Sequence, residues 1–467
     1  MTLLYSEVEE ELRSAVRDLL ADRCPPAAVL AAVVTGPGMG AAVPAGSVTG
    51  AAAAPGPGPA LADGAGTGAV IADGAAGSGT VGGLWPALAR DIGAAGLLVP
   101  EQLGGAGATA REAAVVLEEL GRAVAPVPFL TSSVLATRAL LGAGTDAARE
   151  LLAALAAGET VAALAVPFGT SPYAPEAAWA GRVTVAGGRL HGRVPAVAGA
   201  ATAEVLLVPA GGALYAVQAA DAEVEPAVSL DLTRPVAAVV LSGAPGRSVG
   251  PNLRPVRAAL ELGAGLLASE QLGLAEWCLA TTVAYVKERR QFARPVGSFQ
   301  ALKHRLADLW LAVAQARAAA RNAADALARA AMPETDPPPA APAEPVSAGV
   351  TPAEPPDAVP PGAVPVTVVP VGTASAGGAS VQAARAGAGA GAEVAIAVAV
   401  AQAWCGEVAV TVAEECLQLH GGIGMTWEHP LHLYLKRAKA DQIALGTPGD
   451  HRAALARLAD VPGPPAG

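Results

Sequence analysis

The apolar period of this chain changes twice, and those two changes constrain its fold more than any other feature. Near residues 6–23, Val8, Leu12, Val16, Leu19 and Leu20 recur at helical spacing, until Pro25 and Pro26 interrupt them and a short apolar run follows. Helical patterning resumes at Leu84 and Trp85, continues through REAAVVLEELGRAV (111–124) and runs again from Val134 to Ala157. Between about 160 and 250 it gives way to short β-prone runs, VAALAV, RVTVAGGRLHGRV, AEVLLVPA, ALYAVQ and VAAVVLSG, separated by Gly, Pro and Asp. Helical spacing returns from Val256 to about Arg290, from Phe299 to Ala331 and from Glu393 to Leu419, with further helices to about Leu458. Helices, then strands, then helices describe an α+β protein of segregated blocks, not the alternation of a Rossmann sheet.

The expected domains are an N-terminal helical domain over 1–158, a middle β domain over 159–250 and a C-terminal helical domain over 251–467. Two tracts stand apart from this pattern, 35–83 and 332–392, where Gly, Ala and Pro replace large side chains. Such stretches bury too little apolar surface to offset their ordering entropy, so both read as insertions. The whole chain is 52% hydrophobic but only 3% aromatic, so its core must be built mainly from Ala, Val and Leu.

A formal net charge of −11 argues against general attraction to nucleic acid or an anionic membrane. The four cysteines, Cys24, Cys278, Cys405 and Cys416, form no CxxC pair, which argues against a zinc site or a disulfide framework. The acidic, amphipathic N-terminus lacks the basic and apolar regions of a signal peptide. The most apolar run, Val394 to Ala401, is too short to cross a bilayer. A soluble cytoplasmic protein is the expectation.

Three local motifs carry a more specific message. They are GAAGLLVPEQLGGAG (93–107) with VVLEELGRAVAPVPF (115–129), then TVAYVKERRQFARPVGSFQALKHRLADL (282–309), then AEECLQLHGGIGMTWEHPLHLYLKRAK (413–439). In this order, with a β block between the first and second, the chain resembles the acyl-CoA dehydrogenases. The likeness runs across nearly all of the chain outside the two insertions. It implies an N-terminal helical domain, a middle β domain and a C-terminal helical bundle. It also implies FAD as cofactor, an acyl-CoA as substrate, an electron-transferring flavoprotein as electron acceptor, and an oligomer.

By the same resemblance, Arg289 reaches the pyrophosphate of a flavin held mainly by a neighbouring subunit, where a planar guanidinium suits a phosphate pair. Gln291 and Phe292 then lie beside the adenosine part, with Gln300 in the next helix. Gln418, Gly421 and Gly422 form the segment that lets backbone approach the dinucleotide. Arg289 at a helix end is also what dipole complementation alone would place there, and a helix-ending turn accounts for one of the glycines. His420, His429 and His432 lie close in sequence, but no HExxH or His-x-Asp spacing supports a metal. LGGAG (103–107) lacks the Lys-Ser/Thr of a phosphate loop.

The family's reaction removes an α proton from the thioester with a carboxylate, nearly always glutamate, while the β hydrogen leaves as hydride. In many members that glutamate lies in a Tyr-Glu-Gly-Thr-like sequence. Here the stretch reads IALGTP, and Leu445 stands where the base belongs. Some relatives carry the glutamate on the first long C-terminal helix, at a position corresponding to Gly263. Glu261 and Glu270 are close by, and Glu270, two helical turns onward, is a candidate catalytic base. The alternative for Glu270 is a buried structural carboxylate. The β domain also lacks the Thr-Glu-Pro-x-x-Gly-Ser-like loop that contacts flavin and substrate. Two readings follow: an acyl-CoA dehydrogenase whose usual Glu is replaced by Leu445, or a non-catalytic partner subunit that completes the FAD site of a heteromeric enzyme.

Overall fold

The computed structural model describes residues 3–35, 83–331 and 390–460. The two insertions read from composition fall almost wholly outside them. The N-terminal block holds α1 (Glu7–Arg23), α2 (Pro26–Thr35), α3 (Leu84–Pro86), α4 (Ala110–Ala123), α5 (Thr137–Ala143) and α6 (Asp146–Ala156). Helix starts are set by short polar residues: Ser6 with Glu9, and Thr109 with Glu112, close reciprocal capping boxes on α1 and α4. The apolar run after Arg23 is itself a helix, with Pro26 as its first residue, where a missing N–H costs nothing.

Eight strands follow: β1 (Ala162–Leu164), β2 (Val183–Ala186), β3 (Arg189–Ala198), β4 (Val205–Ala210), β5 (Ala213–Gln218), β6 (Glu223–Pro226), β7 (Val236–Pro245) and β8 (Arg247–Gly250), with the single turn α7 (Glu176–Trp179) between β1 and β2. They form two four-stranded sheets, ordered β1-β4-β5-β8 and β2-β3-β7-β6. Only β1 and β4 pair in parallel. Along β4, Val205 and Leu207 pack into the helical core while Leu206 and Val208 pack between the sheets. That burial on both faces is why VLLV is apolar at every position rather than alternating. The β6 (EVEP) and β8 (RSVG) sequences escaped the sequence reading because each lies at a sheet edge, where no apolar face is required.

The C-terminal block is a bundle of α8 (Arg254–Glu288), α9 (Gln300–Ala331), α10 (Ala390–His420), α11 (Leu431–Ile443) and α12 (Pro448–Leu458). Its fold class is the α+β arrangement expected. Helix α10 starts at Ala390, three residues before the expected Glu393, because Ala-rich sequence extends a helix readily. It is long and apolar enough to span a membrane, yet 67% of its most apolar window is buried in the bundle, as a core helix requires. Helices α4 and α8 cross backbone to backbone. A Cβ on Gly121 would lie 2.1 Å from the Glu270 carbonyl oxygen, and one on Gly273 would lie 1.9 Å from that of Glu118. Glycine at both points joins the N-terminal block directly to the bundle. The four cysteines are buried and free.

Candidate functional site

Helix α8 ends at Glu288, and the Arg289 N–H bonds back to Tyr285 O at 2.9 Å. The chain then makes a minimal hairpin, Arg290–Gln291 against Arg294–Pro295, whose tip residues Phe292 and Ala293 both adopt left-handed φ, +52° and +62°. Phe292 is 85% exposed. The hairpin is stiffened by Phe299, which lies under the Arg294 guanidinium at 3.9 Å, and α9 begins one residue later at Gln300. Tyr285 also stacks on His420 with ring centroids 4.4 Å apart, and its hydroxyl donates to His420 O. That contact fastens the end of α8 to the end of α10, where Gly421 (φ +63°) and Gly422 follow. An added Cβ at either glycine would meet nothing within 4 Å.

Arg289, Gln291, Phe292, Gln300, Gln418, Gly421 and Gly422 therefore gather at one end of the bundle, and all seven are exposed. Among the described residues the Arg289 side chain makes no ion pair within the chain. A free guanidinium beside open glycine backbone suits the pyrophosphate of a dinucleotide. The three nearby histidines are engaged with one another and with the chain. His420 Nδ1 donates to Cys416 O at 2.8 Å, His429 lies 4.7 Å from His420, and His432 Nε2 donates to Trp427 O. No group of three metal-binding side chains exists among the described residues.

The base positions lie elsewhere. A Cβ built on Gly263 would sit 3.1 Å from Leu445 Cδ1 and 2.4 Å from Leu135 Cδ2. The two positions at which the sequence resemblance would place a base, Gly263 and Leu445, thus meet at one point, and Leu445 and Leu135 beside it are 1% and 4% exposed. Leu445 itself holds a left-handed φ of +54°. Its N–H donates to Phe168 O at 2.8 Å, which ties the loop after α11 to the β domain. Its carbonyl accepts from His451 Nε2 at 3.1 Å, so His451 Nδ1 is the unprotonated nitrogen and accepts from the Tyr173 hydroxyl at 2.8 Å. Burial pushes His451 down to about 4, so the ring is neutral near pH 7.

Glu270 requires a correction to its reading as a base. It is 1% exposed, and its two oxygens accept from Arg234 at 2.5 Å and Arg437 at 2.7 Å. Burial opposes its charge, but the two guanidiniums outweigh burial and hold the carboxyl below its usual range. A carboxylate committed to two arginines is a weak proton acceptor and faces no open space. The two best-formed cavities among the described residues lie elsewhere, one beside Tyr5 and Arg321 and the other beside Glu176 and Arg257. Nothing in the sequence singles out Arg234, Arg437 or the Tyr173–His451 pair, because their hydrogen bonds join residues more than a hundred positions apart, except for Arg234 with Glu270. The one local ion pair, Arg437 with Asp441 four residues on, has the spacing of an ordinary helix-surface pair.

From Gly263 to Glu288 the single helix α8 spans roughly 38 Å. One end of that rod presents an exposed arginine beside open glycine backbone, and the other packs Gly263 against Leu135 and Leu445. This is the layout of a flavin-dependent dehydrogenase of the acyl-CoA type. The family model described as "Acyl-CoA dehydrogenase, C-terminal domain" matches residues 253–343 and 374–459, and its N-terminal counterpart matches 75–159. The acyl-CoA dehydrogenase IpdE2 of Mycolicibacterium smegmatis is 33% identical over 78% of this chain and 84% of its own length. Its Mycobacterium tuberculosis namesake is 32% identical over 80% and 85%. The chain belongs to the acyl-CoA dehydrogenase family, whose cofactor is FAD. Among solved structures, a variant of the Tcur3481-Tcur3483 steroid ACAD superposes with a TM-score of 0.65 at 26% identity, covering 98% of this chain and 99% of that one. The ChsE4-ChsE5 complex of Mycobacterium tuberculosis shares the fold at TM-score 0.67 and 24% identity, with coverage of 99% and 100%.

Proposed function

We propose that this chain is the base-less subunit of a heteromeric acyl-CoA dehydrogenase, contributing its arm to a flavin seated mainly on a related subunit. The observation that carries this reading is the meeting of Gly263 and Leu445, because both positions at which the resemblance would place the base are non-acidic here at once. Leucine cannot take the α proton, and Glu270 is occupied by Arg234 and Arg437. The separation of the arm from this point supports the same reading. A single dinucleotide held at Arg289 is about 38 Å along α8 from its own chain's base position, so the arm serves another chain. Likeness to a steroid ACAD named for two proteins supports a partner of the same family.

When bound, FAD supplies the hydride acceptor. This chain's part is to hold the dinucleotide's phosphates with Arg289, flank it with Gln291, Phe292, Gln300 and Gln418, and let the Gly421–Gly422 backbone approach. The α-proton step belongs to the partner's carboxylate. A bulky, steroid-like acyl-CoA as the assembly's substrate, an electron-transferring flavoprotein as its oxidant and a cytoplasmic location complete the proposal. The test is anaerobic titration with acyl-CoA, following flavin absorbance. The lone chain should retain little flavin and show no rapid bleaching, and co-expression with a dehydrogenase-like partner should restore both. Rapid bleaching by the lone chain would overturn this reading in favour of a self-sufficient enzyme.

A further inference from the structure

Two guanidiniums and three carboxylates converge where the loop before β7 meets α8 and α11. Arg234 donates to Asp441 Oδ1 at 2.6 Å and to Glu270 Oε2 at 2.5 Å. Arg437 donates from Nε to Glu270 Oε1 at 2.7 Å and from Nη1 to the Thr233 hydroxyl at 2.7 Å, and lies 3.3 Å from Asp231 Oδ2. None of these five charged residues is more than 8% exposed. Were every group ionised, the cluster would hold one uncompensated negative charge away from water. A buried net charge of that kind is expensive, and a proton on one carboxylate removes it.

The hydrogen-bond inventory identifies the carboxylate. Both Glu270 oxygens accept from arginine. Asp231 Oδ1 accepts from the Thr233 N–H at 2.8 Å and from its hydroxyl at 2.5 Å, while Oδ2 faces Arg437. Asp441 is served by Arg234 at Oδ1 alone. Its Oδ2 is buried without a hydrogen-bond partner, 3.7 Å from Arg437 Nε. Beside it, Gln271 donates its amide to Asp441 O at 3.0 Å and leaves its own Oε1 buried and unpartnered. The place is rich in acceptors and short of a donor, and a protonated Asp441 is a donor.

One further charge faces the cluster from outside it. Lys436, on Asp441's own helix, holds its ammonium over the Trp427 ring at 4.1 Å with no carboxylate within ion-pair reach among the described residues, and its charge acts on Asp231 from beyond that reach. From α10 the nearby polar group is the uncharged Gln402, which donates to Ala444 O at 3.4 Å. Burial first, and then the charge of Glu270, push Asp441 well above the usual carboxyl range against the pull of Arg234 and Arg437, with Asp231 adding to the rise.

We propose that Asp441 is a neutral carboxylic acid near neutral pH, and that its proton pins a clasp holding the β-domain loop Asp231–Arg234 to the helical bundle beside Leu445. The sign follows from the raised native value. The clasp's contribution to stability is complete at acid pH, below the unfolded aspartate's range, and is lost as pH rises through the native value. Alkali is therefore expected to loosen the junction between the β domain and the bundle.

Difference infrared spectroscopy of the full chain between neutral and alkaline pH tests this directly. A protonated-carboxyl carbonyl band should be present near neutrality, move on 13C-aspartate labelling, stay put on 13C-glutamate labelling and vanish in Asp441→Asn. Asn keeps the acceptor for Arg234 and supplies an N–H in place of the O–H, so its urea midpoint should stay level at alkaline pH where the wild type falls. No band, a band that moves with labelled glutamate, or a band that survives in Asp441→Asn would each overturn the assignment. An Asp441→Asn protein with the wild-type alkaline loss would overturn the clasp. Should Asp441→Asn fail to fold, the labelled wild type still separates Asp from Glu, and persistence of the band in Asp231→Asn separates the two aspartates in favour of Asp441.

Discussion

At the C-terminal end of α8 the Arg289 side chain is left exposed, with no ion pair to any described residue of the chain. Near Gly263, two-thirds of that helix away, the nearest side chains are Leu135 and Leu445, and the buried carboxylate Glu270 further along is bonded to two arginines. Arg289 reaches solvent, Phe292 stands 85% exposed on a left-handed hairpin tip, and Gly421 and Gly422 present bare backbone. At the other end Leu135 and Leu445 close the space, Glu270 is held by two arginines, and Tyr173 and His451 bond in series to the Leu445 carbonyl. The contrast teaches that the two halves of a flavin site answer to different constraints. On the proposed reading, an arm that serves another chain must stay open, whereas a centre without its base is free to collapse into core, where apolar burial adds stability.

If the base end is core, damage there should unfold the protein, and the largest effect is expected from Arg437→Ala. It leaves Glu270 short of one partner and takes from Asp231 its guanidinium, in a site where Arg437 is 2% exposed. Breaking a buried pair in this way costs about 3–5 kcal/mol. Urea unfolding should show it as a large fall in midpoint, and a fall no greater than that of a surface substitution would contradict a structural role for this end.

The second effect is a pH dependence. The His451 value is lowered by burial from 6.5 to about 4, so the native ring resists a proton that the unfolded chain accepts. Its contribution to stability is present above about pH 6.5 and is lost as pH falls toward about 4, amounting to about 3 kcal/mol across the window. Glu270, held low by its arginines, adds to the loss at lower pH still. Because the raised Asp441 works in the opposite sense over this range, the test is signed. On going from pH 7 to pH 5 the urea midpoint should fall further, or rise less, in the wild type than in His451→Gln, and equal changes would remove His451 from the account.

The arm should behave in the opposite way. Arg289→Ala removes an exposed side chain, so the lone chain's stability should stay within about 0.5 kcal/mol of wild type. In the co-expressed assembly, loss of a hydrogen bond to a charged group, about 1.5–3 kcal/mol, should weaken flavin retention by roughly 10- to 150-fold. Flavin absorbance after gel filtration measures it. Unchanged flavin content would break the contrast between an arm that binds and a centre that only packs.

The two ends also differed in how far the sequence disclosed them. The exposed end is written in contiguous motifs, ERRQF and QLHGG, so the residues that gather there are nameable from the sequence, as is the leucine at 445. The block order was legible too, because periodicity is local. The edge strands β6 and β8 were not, since EVEP and RSVG carry no apolar alternation. The clasp was not either: Asp231, Glu270 and Asp441 come from three distant segments, and a charged residue in a sequence looks the same whether it will meet water or an arginine in the core. Convergence of Leu135, Gly263 and Leu445 is likewise a product of packing, since alignment could name two of the three but not bring them into contact.

The smallest effect separates a bonded loop from a merely filled one. Tyr173 donates to His451 Nδ1, and His451 in turn donates to the carbonyl of Leu445, whose φ of +54° is an unfavourable angle for a leucine. Tyr173→Phe keeps the ring, which packs edge-on to His451 at 5.2 Å, and removes only the hydroxyl. The loss should be about 1 kcal/mol, as for one ordinary hydrogen bond, and the freed His451 Nδ1 becomes easier to protonate. The acid loss due to His451 should therefore begin at the same pH, set by the unfolded imidazole, but level off at a higher pH and be smaller than in the wild type. A Tyr173→Phe protein with unchanged midpoint and unchanged pH profile would mean that the loop is held by packing and by the Leu445 N–H bond to Phe168 O, without support from the tyrosine hydroxyl.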